Sequence, residues 1–196
     1  FGASGNCVRY CGGEIMFADI DSESYVIDTD NVKKILEREP KGSVKGIIPV
    51  DFAGRPVNLE EIKKLTDEYG LWIIEDACHA PGGYFTDSKG VQQKCGNGKF
   101  AELAIFSFHP VKHIACGEGG MITTNNEELY KKLLVLRTHG ITRDKNVFTN
   151  SKETACGFLN NEESAADYPD WYMEMQELGY NYRLTDFQAA LGTSQL

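Results

Sequence analysis

The sequence predicts an α/β fold, with a mainly parallel sheet and helices on both faces. Three observations carry this expectation. Short apolar runs alternate with amphipathic helical patterns as far as Arg143. Several runs lack the polar alternation of a sheet with one wet face, so they read as strands buried on both sides. The order strand, helix, strand, helix is the α/β pattern, whose crossovers are right-handed.

The elements follow in chain order. Small residues before Asn6, in Phe1-Gly2-Ala3-Ser4-Gly5-Asn6, open a helix whose N-terminus faces the ligand-binding rim of the sheet. Glu14 to Ile20 reads as a strand. Asp30 to Glu39 reads as a helix with Val32, Ile35 and Leu36 on one face. Gly46 to Val50 is a second strand. Asn58 caps a helix through Tyr69 with Leu59, Ile62 and Leu65 inward, and Gly70 stops it. Leu71 to Asp76, Leu103 to Phe108 and Gly120 to Thr124 are further strands. Asn125 or Asn126 opens a helix carrying Leu129, Leu133, Leu134 and Leu136. From Asp144 to Gly179 the chain is polar and reads as a long loop with one helical turn, a length usual for functional loops. A last helix has Leu184 to Asp186 as its first turn and runs past Leu191.

Composition narrows the functional classes. Of 196 residues, 41% are hydrophobic, enough for a sizeable core, so disorder is excluded as the default. No run reaches the ~20 apolar residues of a membrane span. Lys and Arg total 20 against 29 Asp and Glu, a net charge of -9, with no basic stripe. That balance argues against nucleic acid as a partner but permits an anionic small ligand. The six cysteines are scattered, with no CxxC, and read as reduced thiols of a cytoplasmic protein. The chain starts at Phe1 without Met or a signal pattern, and both ends read as cut from a longer protein.

Ligands of open α/β sheets sit beyond the carboxyl ends of the strands, and three segments load that rim. Ile73-Ile74-Glu75-Asp76-Ala77-Cys78-His79-Ala80 delivers a carboxylate, then an imidazole. A turn-capping Asp76 and a structural His79 are the bland alternatives. Phe106-Ser107-Phe108-His109-Pro110-Val111-Lys112-His113 delivers a hydroxyl and, five residues on, a lysine among apolar neighbours. Such a lysine, partly desolvated, can act as a nucleophile or Schiff-base amine. The glycines of Cys116-Gly117-Glu118-Gly119-Gly120 let backbone approach a ligand. The third segment is the small-residue start at Ser4. His109 and His113 with Cys116, Cys78 and His79 offer metal-ligand types, but Pro110 disfavours a shared helical face and no HExxH occurs, so no metal is expected. No GxGxxG follows the first strand, so a dinucleotide site is not expected either.

Taken together, Glu75-Asp76-Ala77-Cys78-His79-Ala80, Phe106-Ser107-Phe108-His109-Pro110-Val111-Lys112 and Gly117-Glu118-Gly119-Gly120 resemble the DegT/DnrJ/EryC1/StrS aminotransferases. Ser4-Gly5-Asn6, Arg137-Thr138-His139-Gly140, Tyr180-Asn181-Tyr182-Arg183-Leu184-Thr185-Asp186 and Gln188-Ala189-Ala190-Leu191-Gly192 extend the likeness over nearly the whole chain. The resemblance implies the large domain of a fold type I transferase that uses pyridoxal 5'-phosphate (PLP). It implies that residues 1–196 form most of that domain, with the loop at about 144–179 bordering a sugar pocket. An upstream phosphate loop and a small C-terminal domain would lie outside the chain.

The resemblance also assigns roles. Lys112 is similar in position to the lysine that attaches the cofactor and moves the substrate proton. Asp76 matches the carboxylate that pairs with the pyridinium, and His79 lies beside the ring and its 3-hydroxyl. Ser107 matches a phosphate-binding hydroxyl, Phe1 a stacking aromatic, and Ser4 a position usually held by Thr or Ser. Asn181 matches a residue that reaches the phosphate in the neighbouring subunit, which implies a homodimer with shared sites. Lys112, where dehydrating relatives carry His, implies transamination. The stretch Trp171 to Tyr180 and the His79 variant resemble the branch that aminates UDP-linked 4-keto-6-deoxy-hexoses toward pseudaminic acid or surface polysaccharide, with glutamate as donor. Two rival readings remain open at this point: a non-catalytic PLP-binding or regulatory domain, and a purely structural α/β domain.

Overall fold

The computed structural model describes residues 2–157 and 167–196; Phe1 and residues 158–166 lie outside them. In chain order the elements are α1 (Gly2–Tyr10), α2 (Thr29–Arg38), β1 (Gly46–Ile47), α3 (Leu59–Tyr69), β2 (Trp72–Asp76), β3 (Tyr84–Thr86), β4 (Gln92–Lys94) and β5 (Leu103–Ser107). They continue with β6 (Gly120–Thr123), α4 (Glu127–Leu136), β7 (Ile141–Thr142), α5 (Lys152–Cys156), β8 (Glu174–Met175) and α6 (Asp186–Thr193). The chain divides into two compact units. One holds the chain up to Asn126 together with Thr185–Leu196, and the other is Glu127–Leu184.

The first unit is built on a four-stranded sheet in the order β1-β2-β5-β6. β1, β2 and β5 are parallel, and β6 closes the edge antiparallel to β5. The expected strand Gly46 to Val50 keeps a ladder only over Gly46–Ile47, because Pro49 has no amide proton to donate. Val50 then rejoins as a single parallel bridge to Asp76. α2 and α3 bury Val32, Leu36, Leu59, Ile62 and Leu65 against Ile47 and Ile73 of the sheet. Ile62 and Ile73 are completely shielded from water.

Several local expectations need correction. Glu14 to Ile20 forms no strand. Only Ile20 makes a bridge, to Ile27, and Phe17 is 85% exposed. An apolar run becomes a strand only where a neighbour offers a ladder, and this one has none among the described residues. Asn58 sits at the N-cap position of α3, but its side chain donates to Glu61 (2.9 Å) instead of capping. Gly70 does end that helix, in the left-handed conformation (φ 70°). α6 starts at Asp186, not at Leu184. Thr185 and Gln188 form a capping box there.

The hairpin β3–β4 was not anticipated. Its turn is held by Asp87, whose Oδ1 accepts from the amides of Lys89 (3.0 Å) and Val91 (2.9 Å).

The second unit pairs β7 with β8 antiparallel, and α4 packs against β7. The segment expected as loop contains α5, a short 3-10 turn at Lys145–Val147 and β8. Phe148, Tyr168 and Tyr172 pack ring against ring at 4.8 to 5.5 Å. The six cysteines are free thiols. Among the described residues, no helix is long and apolar enough to cross a membrane.

Candidate active site

The parallel strands bring their carboxyl ends to one rim. Asp76 closes β2, and its register partner on β5 is Ile105, two residues before Ser107. Neighbouring strands lie about 4.8 Å apart, so the carboxylate and the hydroxyl share one stretch of sheet edge. The end of β1 joins them: the Asp51 amide donates to the Asp76 carbonyl (3.0 Å), and the Asp76 amide donates to Pro49 (2.9 Å).

Asp76 is buried, at 8% exposure. The Ser4 hydroxyl donates to its Oδ2 (3.1 Å) and the Cys78 amide to its Oδ1 (3.2 Å). The second bond is the turn-capping role open at the sequence level. The first ties α1 to the strand end across 72 residues of sequence. Two neutral donors leave lone pairs for one more hydrogen-bond donor.

Lys112 lies on the turn after β5, half-buried, its amide bonded to the His109 carbonyl (2.9 Å). The Cys78 thiol senses both charged groups. Burial and the Asp76 carboxylate push it up to about 12, while the Lys112 ammonium pulls it down. Asp76 and Lys112 thus belong to the carboxyl ends of the neighbouring parallel strands β2 and β5. The segment carrying Lys112 is closed by backbone bonds from Phe108 to Gly119 (2.8 Å) and from Cys116 to Phe108 (3.0 Å). Gly120 lies against the Phe106 carbonyl, where an added Cβ would sit at 2.8 Å, so this glycine serves strand pairing.

His79 accepts from the Ala53 amide at Nδ1 (3.3 Å), with the Phe52 ring tilted against it at 5.9 Å. A neutral imidazole bonded this way carries its proton on Nε2. Ser107 Oγ accepts from the His109 amide (3.3 Å), which leaves its own proton free to donate. Asn181 lies in the second unit, exposed, in a bridge to Thr138. Phe1 lies outside the described residues. The structure thus places Asp76, His79, Ser107 and Lys112 on strand ends and turns of one unit, with Ser4 on α1 beside Asp76, and carries Asn181 on the other.

A second acid cluster stands behind this rim. Asp51 and Glu75 are 1% and 2% exposed. Burial pushes Glu75 up to about 8, helped by the Asp51 charge and opposed by the Gly96 amide. Burial likewise raises Asp51, against the Val57 amide, and raises the Cys95 thiol. Asp51, directly after an apolar run, was a visible signal; Cys95 had none.

The donor set fits PLP chemically. A buried carboxylate with spare lone pairs can receive a pyridinium N–H, a hydroxyl with a free proton can meet a phosphate, and an amine stands at the same sheet end. The family comparison agrees: the model of the DegT/DnrJ/EryC1/StrS aminotransferase family matches residues 1–196, and the chain belongs to that family.

The chain is 37% identical over 196 residues to the UDP-4-amino-4,6-dideoxy-N-acetyl-beta-L-altrosamine transaminase of Campylobacter jejuni, covering all of this chain and 43% of that one. It is 34% identical to the spore coat polysaccharide biosynthesis protein SpsC of Bacillus subtilis, again covering 100% and 43%. Helicobacter pylori PseC, an aminotransferase involved in the biosynthesis of pseudoaminic acid, superposes with a TM-score of 0.75 at 29% identity, over 100% of this chain and 43% of PseC. The fold is therefore that of the family's aminotransferases. The chain spans less than half the length of these relatives.

Proposed function

We propose that the protein carrying this chain is a PLP-dependent aminotransferase that converts a UDP-linked 4-keto-6-deoxy-hexose into the 4-amino sugar. Glutamate is the donor, and the product feeds pseudaminic acid or surface polysaccharide synthesis. The observation that supports this most is the placement of acid and amine at the carboxyl ends of neighbouring parallel strands: buried Asp76, bonded by Ser4, closes β2, and Lys112 lies on the turn after β5. Similarity to the Campylobacter and Helicobacter enzymes supports the sugar class.

PLP, when bound, supplies an electron sink that makes the carbon beside an amine nitrogen acidic. The chain's own residues do the rest. Asp76, oriented by Ser4 and Cys78, would accept the ring N–H and favour the cationic ring. Lys112 would hold the cofactor and would move the proton at the reacting carbon. Nε2 of His79 would stand toward the ring's 3-hydroxyl. Ser107 would donate to the phosphate. Asn181 would reach the phosphate of a second subunit in a homodimer. The site works in the cytoplasm, without metal, nucleic acid or membrane.

The full-length protein, given a UDP-linked 4-keto sugar and glutamate, should release 2-oxoglutarate and an amino sugar whose configuration NMR defines. Bound cofactor without amino sugar would favour the non-catalytic reading. Borohydride should fix a pyridoxyl group on Lys112, found by peptide mass. Fixation surviving in Lys112→Ala would overturn the assignment.

A further inference from the structure

We propose that Asp51, Glu75 and Cys95 form a binding site for one borderline-soft divalent cation of the zinc type. The three residues come from separate segments: Asp51 follows β1, Glu75 lies in β2 and Cys95 follows β4. The fold nevertheless brings one ligand atom from each to within 4.8 Å of the others. Zinc bonds of about 2.0–2.3 Å separate tetrahedral ligands by roughly 3.5 Å, inside that limit.

Two features distinguish this group from an ordinary acidic cluster. First, backbone orients both carboxylates. Asp51 Oδ1 accepts from the Val57 amide (2.8 Å) and Glu75 Oε2 from the Gly96 amide (2.9 Å), the outer support that metal ligands need. Second, Asp51 Oδ2 is withdrawn from water and has no hydrogen-bond partner among the described residues. An orphaned carboxylate oxygen in a residue 1% exposed costs stability unless a cation or proton meets it.

The sulfur decides the ion class. Magnesium and calcium prefer all-oxygen shells, whereas a thiolate beside two carboxylates suits zinc. On binding, the Cys95 S–H and any proton held by the carboxyls pass to solvent, and the three anionic donors share the cation's charge. The ion would tie the ends of β1 and β4 to the strand that carries Asp76.

The test uses the full-length protein, stripped with chelator and then given Zn2+ or Co2+ alone. Metal analysis after dialysis should find one zinc per chain, and cobalt should produce a thiolate charge-transfer band. Cys95→Ser should abolish the band, and Asp51→Asn should weaken zinc binding by more than about 100-fold. Replacing exposed Cys7 and Cys11 together by Ser should leave the band intact. No band in the wild type would overturn the proposal and leave a proton shared between Asp51 and Glu75 as the occupant. A band lost with Cys7 and Cys11 would overturn it as well. Should Cys95→Ser fail to fold, Asp51→Asn decides, and unchanged zinc affinity there refutes the site. None of these readouts depends on PLP or turnover.

Discussion

Glu75 in the sheet unit and Glu174 in the second unit are both buried, at 2% and 5% exposure, yet they titrate in opposite directions. Burial pushes both up. At Glu174 that push is outweighed by the Thr149 and Asn150 amides and the Thr149 and Tyr172 hydroxyls, which hold the carboxyl at about 2. At Glu75 the Gly96 amide faces burial and the Asp51 charge, and the carboxyl rises to about 8. Donor count and the sign of the nearest charge, not depth alone, decide whether a buried acid stays ionised.

The comparison can be broken most forcefully at its well-furnished end. Glu174→Ala removes the acceptor of two amides and two hydroxyls, and should lower Tm by roughly 5 °C in a calorimetric scan. A shift within error would mean that water replaces the carboxylate at no cost.

Next comes pH. A carboxyl whose folded value lies above its unfolded one contributes full stability below the unfolded value and loses it as pH rises through the folded one. Metal-free protein should therefore lose stability from Glu75 as pH climbs from about 4.5 to about 8. Glu174 has the opposite sign: its contribution is present above about 4.5 and disappears as pH falls toward 2. Urea midpoints across that range should show both slopes. Glu75→Gln should flatten only the upper one and raise the urea midpoint at pH 8. A smaller effect is expected for Asp51→Asn, which removes the repelling charge and should bring the Glu75 titration down in carboxyl NMR. The smallest is Thr149→Val, which removes one hydroxyl donor and should raise the Glu174 titration while leaving both amides in place.

The sequence showed most of what local chemistry dictates. Apolar runs located β2, β5 and β6, and glycine marked the end of α3. The positions of Asp76 and Ser107 at strand ends and of Lys112 on the next turn were legible because apolar runs mark β2 and β5. Glu14 to Ile20 misled because ladder formation depends on a neighbour that no local pattern reveals. The β3–β4 hairpin was missed although Asp87 and Gly90 signalled a turn, since Gln92 and Lys94 blur the alternation of its second strand. The Asp51–Glu75–Cys95 group was illegible for another reason. Its members lie on three segments, and only the sheet order makes them neighbours.

One contact has a consequence for biogenesis. Gln188 donates to the Glu118 carbonyl (2.7 Å) across 70 residues, and Gln195 exchanges two bonds with Ala115 (2.9 and 2.6 Å). α6 thus returns to brace the far end of the segment that follows Lys112. During translation that segment leaves the ribosome long before its brace does. The newborn chain must carry the turn that holds Lys112 as an unsupported span until the returning helix arrives.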